Sequence, residues 1–190
     1  MTSHDQKLID KINSLRSYGM NKSMWDRRDD AMPWSYAVSD LGHNFRMTDF
    51  QAALGMVQMT KLDRFTQIRR ELVSRYEMAL KKIPQIEFFE PEKQASPVFL
   101  YFAFKIRSGG ESSLRNRLAL FLIEKGIGAS VHWDPPLHQH PLFSKNGLTK
   151  ENFKVTEALS REVVSLPLFP AMTGEDVDYI VEKVSEFFSC

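Results

Sequence analysis

Apolar residues three and four apart form the longest pattern in the chain, from Ala53, Leu54 and Val57 through Leu62, Phe65, Leu72, Tyr76 and Leu80 to Ile83. This spacing places them on one face of an α-helix. Thr48-Asp49-Phe50-Gln51 opens the run as a capping box. The threonine hydroxyl can accept from the backbone N–H of Gln51 while the Gln51 side chain reaches back to the N–H of Thr48. Pro84 stops the run, because proline lacks a donor and clashes with the preceding turn. At about 1.5 Å per residue the helix would be roughly 50 Å long, so one end projects beyond a small domain unless it bends. Gly55 and Lys61 are the places for a bend.

Before it, Gln6 to Ser17 carries Leu8, Ile9, Ile12 and Leu15 on one stripe, and Gly19 ends that helix. Asn21 to Asp40 has no sustained period and holds Trp25, Trp34, Tyr36 and Pro33, which predicts an irregular arm. It either binds something or packs its aromatics on the body. After Pro84, strands are expected at Ile86–Phe89 and Val98–Ile106, the second ended by a Gly109-Gly110 turn. A helix follows from about Ser112 to Lys125, with Leu114, Leu118, Phe121 and Leu122 inward and Gly126 as terminator. Ile127 to Trp133 reads as a strand. A helix from Glu151 to Ser160, capped by Thr149, comes next, then a strand at Val163–Leu166. The last helix starts with the box Thr173-Gly174-Glu175-Asp176 and carries Val177, Ile180, Val181, Val184 and Phe187. The order β-β-α-β-α-β-α predicts an α+β fold of the broad α/β class. Helices pack on a small, largely antiparallel sheet, preceded by the long helix and the arm. The chain divides into residues 1–47 and residues 48–190.

Composition narrows the function. A hydrophobic fraction of 43% and 14 Phe belong to a folded globular protein. Lys and Arg total 25 against 24 Asp and Glu, with no basic block, which argues against nucleic-acid binding. Cys190 stands alone at the end, so neither a disulfide nor a thiolate metal site is available. The longest apolar stretch, Ser96 to Ile106, is too short to span a bilayer, and the first residues do not read as a signal peptide. A cytoplasmic protein without membrane contact is expected.

Two loops hold the candidate chemistry. His132, His138 and His140 cluster after a predicted strand without the spacing of a familiar metal site. They are edge-of-core histidines held by backbone partners, or imidazoles that a stiff Trp-Pro-Pro loop presents to a polar ligand. Gly42-His43-Asn44-Phe45-Arg46 precedes the capped helix. Asn44 and Arg46 either meet a phosphate or carboxylate there, or simply stabilise a turn. No lysine sits in an apolar or cationic setting that would make it a nucleophile, and no Gly-rich phosphate loop occurs.

The stretch Gly42-His43-Asn44-Phe45-Arg46-Met47-Thr48-Asp49-Phe50-Gln51-Ala52-Ala53-Leu54-Gly55 resembles a motif of the DegT/DnrJ/EryC1/StrS family of sugar aminotransferases. So does Val131-His132-Trp133-Asp134-Pro135-Pro136-Leu137-His138-Gln139-His140-Pro141-Leu142-Phe143. Ser165-Leu166-Pro167-Leu168-Phe169-Pro170 followed by Thr173-Gly174-Glu175-Asp176-Val177 adds a third match in the family's order. Trp133 and His140 depart from it, standing where the family usually has Tyr and Gln.

The resemblance implies a fold-type-I, pyridoxal-phosphate-dependent aminotransferase acting on a nucleotide-linked keto sugar, usually as a homodimer with shared active sites. This chain would be its C-terminal part, with residues 1–47 a remnant of the large domain. The family's Schiff-base lysine lies upstream of every matched motif, so no catalytic residue is assigned and no covalent cofactor is expected on this chain. Asn44 then corresponds to the asparagine that reaches the cofactor phosphate of the neighbouring subunit, with Arg46 beside it. His132 and His138 correspond to histidines of the substrate-side loop. Such a chain would be inactive alone and would self-associate or take a missing large domain in trans. The alternative is a non-catalytic interaction or regulatory domain from the same family.

Overall fold

The computed structural model describes residues 3–22, 24–29, 31–92, 95–109, 112–145 and 153–189, without the side chains of Met24 and Trp25. The expected roles of Gly110, Thr149, Glu151 and Cys190 lie outside the described residues, as does the Trp25 side chain. The chain forms two compact units, residues 1–60 and 61–190.

In the first unit, α1 (Gln6–Leu15) is capped by Asp5, whose carboxylate accepts from the N–H groups of Lys7 and Leu8. Its C-terminal turn is held by residues 42–45. The N–H of His43 donates to Leu15 at 2.8 Å, that of Tyr18 to His43 at 3.0 Å, and that of Phe45 to Arg16 at 3.0 Å. Two glycines permit this approach. A Cβ on Gly42 would lie 2.1 Å from the Gly19 nitrogen, and one on Gly19 would lie 1.8 Å from the Asp40 carbonyl oxygen. The arm is not wholly irregular, since it contains a short helix α2 (Met24–Arg28) and the isolated bridge Met20–Val38. The Thr48 box is present on α3 (Asp49–Met59), with Gln51 N–H to Thr48 Oγ1 at 3.3 Å and Thr48 N–H to Gln51 Oε1 at 2.9 Å. No residue of α3 is buried.

The expected long helix is interrupted at Lys61, one of the two places expected for a bend. α3 closes at Thr60, whose hydroxyl donates to the Val57 carbonyl at 2.8 Å, and α4 (Leu62–Leu80) belongs to the second unit. The apolar spacing runs through the break because it records which face is apolar, not whether the backbone bonds continue.

In the second unit, α4 turns Leu72, Val73, Tyr76 and Leu80 inward. Three antiparallel strands follow the order β1 (Ile86–Phe88), β2 (Phe102–Ile106), β3 (Val163–Leu166). Ile86 pairs with Ile106 and Phe102 with Leu166. On β2 the buried Phe102, Phe104 and Ile106 alternate with half-buried Ala103 and Lys105, the period-2 signature of a strand with one core face. Lys105 forms an ion pair with Glu87, opposite it on β1. α5 (Ser112–Glu124) ends as expected at Gly126, which takes φ 78° while Ile127 N–H closes onto the Leu122 carbonyl. α8 (Gly174–Ser189) packs on α4 and α5 through Val177, Ile180 and Val184. Its Thr173–Asp176 box is formed, with Thr173 N–H to Asp176 Oδ2 at 2.7 Å and Asp176 N–H to Thr173 Oγ1 at 3.2 Å.

One predicted strand is absent. Ile127 to Trp133 makes a single bridge, Ser130 to Ser165, and turns away at His132. Ile127 and Ala129 are buried, so the apolar signal was real, but only one ladder pair with β3 forms. No helix among the described residues is long and apolar enough to cross a membrane.

Candidate functional site

The bridge at Ser130 delivers the chain to the edge of β3 and begins the loop that carries the histidines. His132 Nδ1 lies 3.1 Å from the Ser165 hydroxyl on β3, and its ring stacks on Tyr101 with centroids 4.2 Å apart. Trp133 meets His132 edge-on at 5.2 Å and remains 70% exposed. Pro135, Pro136 and the single 3-10 turn Leu137–Gln139 carry the loop into the short helix α6 (Pro141–Ser144). Across from it runs α7 (Lys154–Glu162).

Loop and helix enclose a cleft of about 750 Å³. His132, Trp133, Pro135, Leu137 and His140 form the loop side, and Thr156, Leu159 and Ser160 the α7 side, with Phe89 and Val163 completing it. Among the described residues no lysine or arginine lines it, and the lining residues offer apolar surfaces, imidazole edges and hydroxyls.

His138 does not line the cleft. Its Nε2 lies 3.1 Å from Glu157 Oε1 on α7, and its ring packs against Phe153 at 4.8 Å. It therefore clips the loop to α7, whereas His140 lines the cleft. Among the described residues no group of three or more His, Cys, Asp and Glu side chains could hold a metal ion.

Sequence reasoning missed what lies behind the loop. Arg115 of α5 is fully buried, and its Nη2 donates to Asp134 Oδ2 at 2.6 Å. Its Nη1 donates to the carbonyls of Ser160 at 3.0 Å and Val163 at 3.2 Å. The available signal was a charged residue on an inward stripe, next to Leu114 and three before Leu118.

Asn44 and Arg46 lie in the first unit. Asn44 is exposed, and its backbone pairs with Ser17 in an isolated bridge. The Arg46 guanidinium lies over the Tyr18 ring at 5.8 Å. His43 stacks on Phe45 at 5.2 Å. This turn thus has a fixed backbone and an exposed amide side chain immediately before the capped start of α3.

Lysines determine whether a Schiff base can form. Among the described residues only Lys105 and Lys183 are not exposed, and both are paired with carboxylates. Hydrogen bonds from Lys183 to Glu182 at 2.7 Å and Glu186 at 2.9 Å hold its ammonium above the usual lysine range. That is the opposite of what a nucleophilic amine needs.

The DegT/DnrJ/EryC1/StrS aminotransferase family matches residues 1–185. The spore coat polysaccharide biosynthesis protein SpsC of Bacillus subtilis is 31% identical over 188 residues, 98% of this chain and 48% of SpsC. The dTDP-3-amino-3,6-dideoxy-alpha-D-galactopyranose transaminase of Aneurinibacillus thermoaerophilus is 28% identical over 187 residues, 98% of this chain and 46% of that enzyme. Among solved structures, Helicobacter pylori PseC, an aminotransferase involved in the biosynthesis of pseudoaminic acid, superposes with a TM-score of 0.84. It is 26% identical, and the match covers 98% of this chain and 47% of PseC. The chain spans about half the length of the curated relatives it matches.

Proposed function

Since the chain belongs to the DegT/DnrJ/EryC1/StrS aminotransferase family, we propose that it is the C-terminal part of a pyridoxal-phosphate-dependent aminotransferase acting on a nucleotide-linked keto sugar, and that it is inactive alone. The carrying observation is a match along nearly the whole chain to only about half of each relative. The transaminase from Aneurinibacillus thermoaerophilus supports the substrate class by its name.

Pyridoxal phosphate, when bound, supplies an electron sink for amino transfer. The groups in this chain suit one end of it. The Asn44 amide, on a backbone fixed by Ser17, and the Arg46 guanidinium are donors suited to its phosphate. No described lysine suits its aldehyde, so that group belongs to the lysine-bearing part of the complete enzyme. In this reading the cleft receives an uncharged ring of the substrate, because no lysine or arginine lines it among the described residues, and the sugar's phosphates stay outside it. With His132 Nδ1 at Ser165, Nε2 is the atom left for that ring. His138 serves the substrate side by holding the loop on Glu157. The exposed apolar residues of α3 support self-association, or pairing with a large domain in trans.

Borohydride reduction with added pyridoxal phosphate, followed by mass-spectrometric mapping, tests the inactivity. Scattered labelling of exposed lysines without turnover is expected. Stoichiometric labelling of one lysine together with aminotransfer would refute the proposal.

A further inference from the structure

Arg115 shares its stripe on α5 with the buried Leu118, Ala119 and Leu122, where an apolar side chain would continue the core. Burying a guanidinium there forfeits its hydration, and a buried ion pair replaced whole by apolar residues of similar volume often leaves stability unchanged or improves it. Core packing therefore does not account for an arginine. Its three donated bonds do. The Ser160 carbonyl lies in the last turn of α7, where the helix dipole favours a cation, and Asp134 supplies the compensating charge. Its Nε is buried with no partner among the described residues, so the side chain is committed to these ties despite an unmet donor.

The tied residues also border the cleft. Ser160 and Val163, whose carbonyls Arg115 holds, line it, and so do Trp133 and Pro135 on either side of Asp134. The Ser160 hydroxyl reaches Asp134 Oδ1 at 3.5 Å, a weak link between the two walls. We infer that Arg115 is a positioning residue: acting through Asp134, it fixes the loop of residues 131–140 against β3 and α7 and so sets the separation of the cleft walls. That this loop meets substrate rests on the aminotransferase reading, whereas the brace rests on the distances alone.

Hydrogen exchange read by mass spectrometry, combined with urea denaturation, tests this on the chain as it stands. Arg115→Met keeps the volume and removes the ties. Its urea midpoint should fall, because the Ser160 and Val163 carbonyls and the Asp134 carboxylate lose their donor, while exchange at the bonded amides of Ser130, Gln139 and His140 accelerates at least ~10-fold more than at those of α4 and α8. Asp134→Ala should reproduce the loop effect, and Asp134→Asn, which keeps an acceptor, should largely reverse it. If Arg115→Met does not fold, the partly exposed Asp134 decides through its own two variants. Exchange accelerated evenly across the unit would make Arg115 an ordinary core residue and overturn the proposal, as would unchanged loop exchange. Neither readout involves cofactor or turnover, so failure here leaves the aminotransferase reading standing, and the reverse holds too.

Discussion

The Tyr76 hydroxyl on α4 donates to the Pro167 carbonyl at 3.1 Å, joining that helix to the segment that leaves β3. The same ring stacks on Phe102 of β2, with centroids 4.6 Å apart and planes 6° from parallel. One buried side chain thus serves the helix layer, the central strand and the edge of the sheet.

Tyr76→Phe should keep the stack and lose the hydrogen bond, costing about 1 kcal/mol in urea denaturation at neutral pH. The alkaline limb is more diagnostic. Burial, and secondly the charge of Asp176, push the phenol well above its ordinary value of 10.0. The folded state therefore keeps a proton that the unfolded chain releases. Stability from this group is intact below about pH 10 and falls above it, by up to ~1.4 kcal/mol per pH unit. Denaturation of parent and Tyr76→Phe between pH 8 and 11 should show the parent's advantage shrinking above pH 10. Parallel curves would mean that Tyr76 ionises freely in the folded protein.

Gly42→Ala should loosen the turn that carries Asn44. The new Cβ would meet the Gly19 nitrogen at 2.1 Å and the Leu15 carbonyl oxygen at 2.7 Å, and neither backbone can yield without breaking its own bonds. Overpacking of this kind costs about 1–3 kcal/mol. Faster exchange at the amides of Tyr18 and His43 is the expected readout. Gly55→Ala is the control, since nothing lies within 4 Å of its Cβ and alanine favours a helix interior by roughly 0.5–1 kcal/mol. Protection of α3 should rise in that variant. If both glycines respond alike, the close approach at Gly42 is not what the turn depends on.

Self-association should run through α3. Phe50 is 81% exposed, and Leu54, Met56, Val57 and Met59 are exposed with it on a helix that buries nothing. An apolar surface of this kind marks an interaction site. Sedimentation equilibrium from low to high micromolar should show concentration-dependent association, weakened at least about tenfold by Phe50→Ser. A parent chain that is monomeric throughout would exclude this face.

Features that depend on neighbours in sequence were legible. Both boxes, Thr48–Gln51 and Thr173–Asp176, formed because donor and acceptor lie three residues apart and need only the first turn of a helix. Gly126 ended α5 for the same local reason. The three ordered motifs that resembled an aminotransferase family lie within a chain that the family matches over residues 1–185.

Tertiary structure decided the features that depend on distant partners. Residues 127–133 had the composition of a strand, but a strand exists only where a neighbour pairs along its length, and Ser165 alone did so. The apolar stripe passed through Thr60 without a break, yet no residue of α3 is buried, whereas Leu72, Val73, Tyr76 and Leu80 of α4 are, since α4 packs on α8 and stacks Tyr76 on Phe102 of β2. Glu157, 19 positions from His138 in the chain, lies beside its Nε2, a partner that no local pattern names. Arg115 drew no notice in the sequence. Its meaning came from Asp134 and from two carbonyls 45 and 48 residues away, which only the packing of α5, α7 and β3 brings within reach of a single guanidinium.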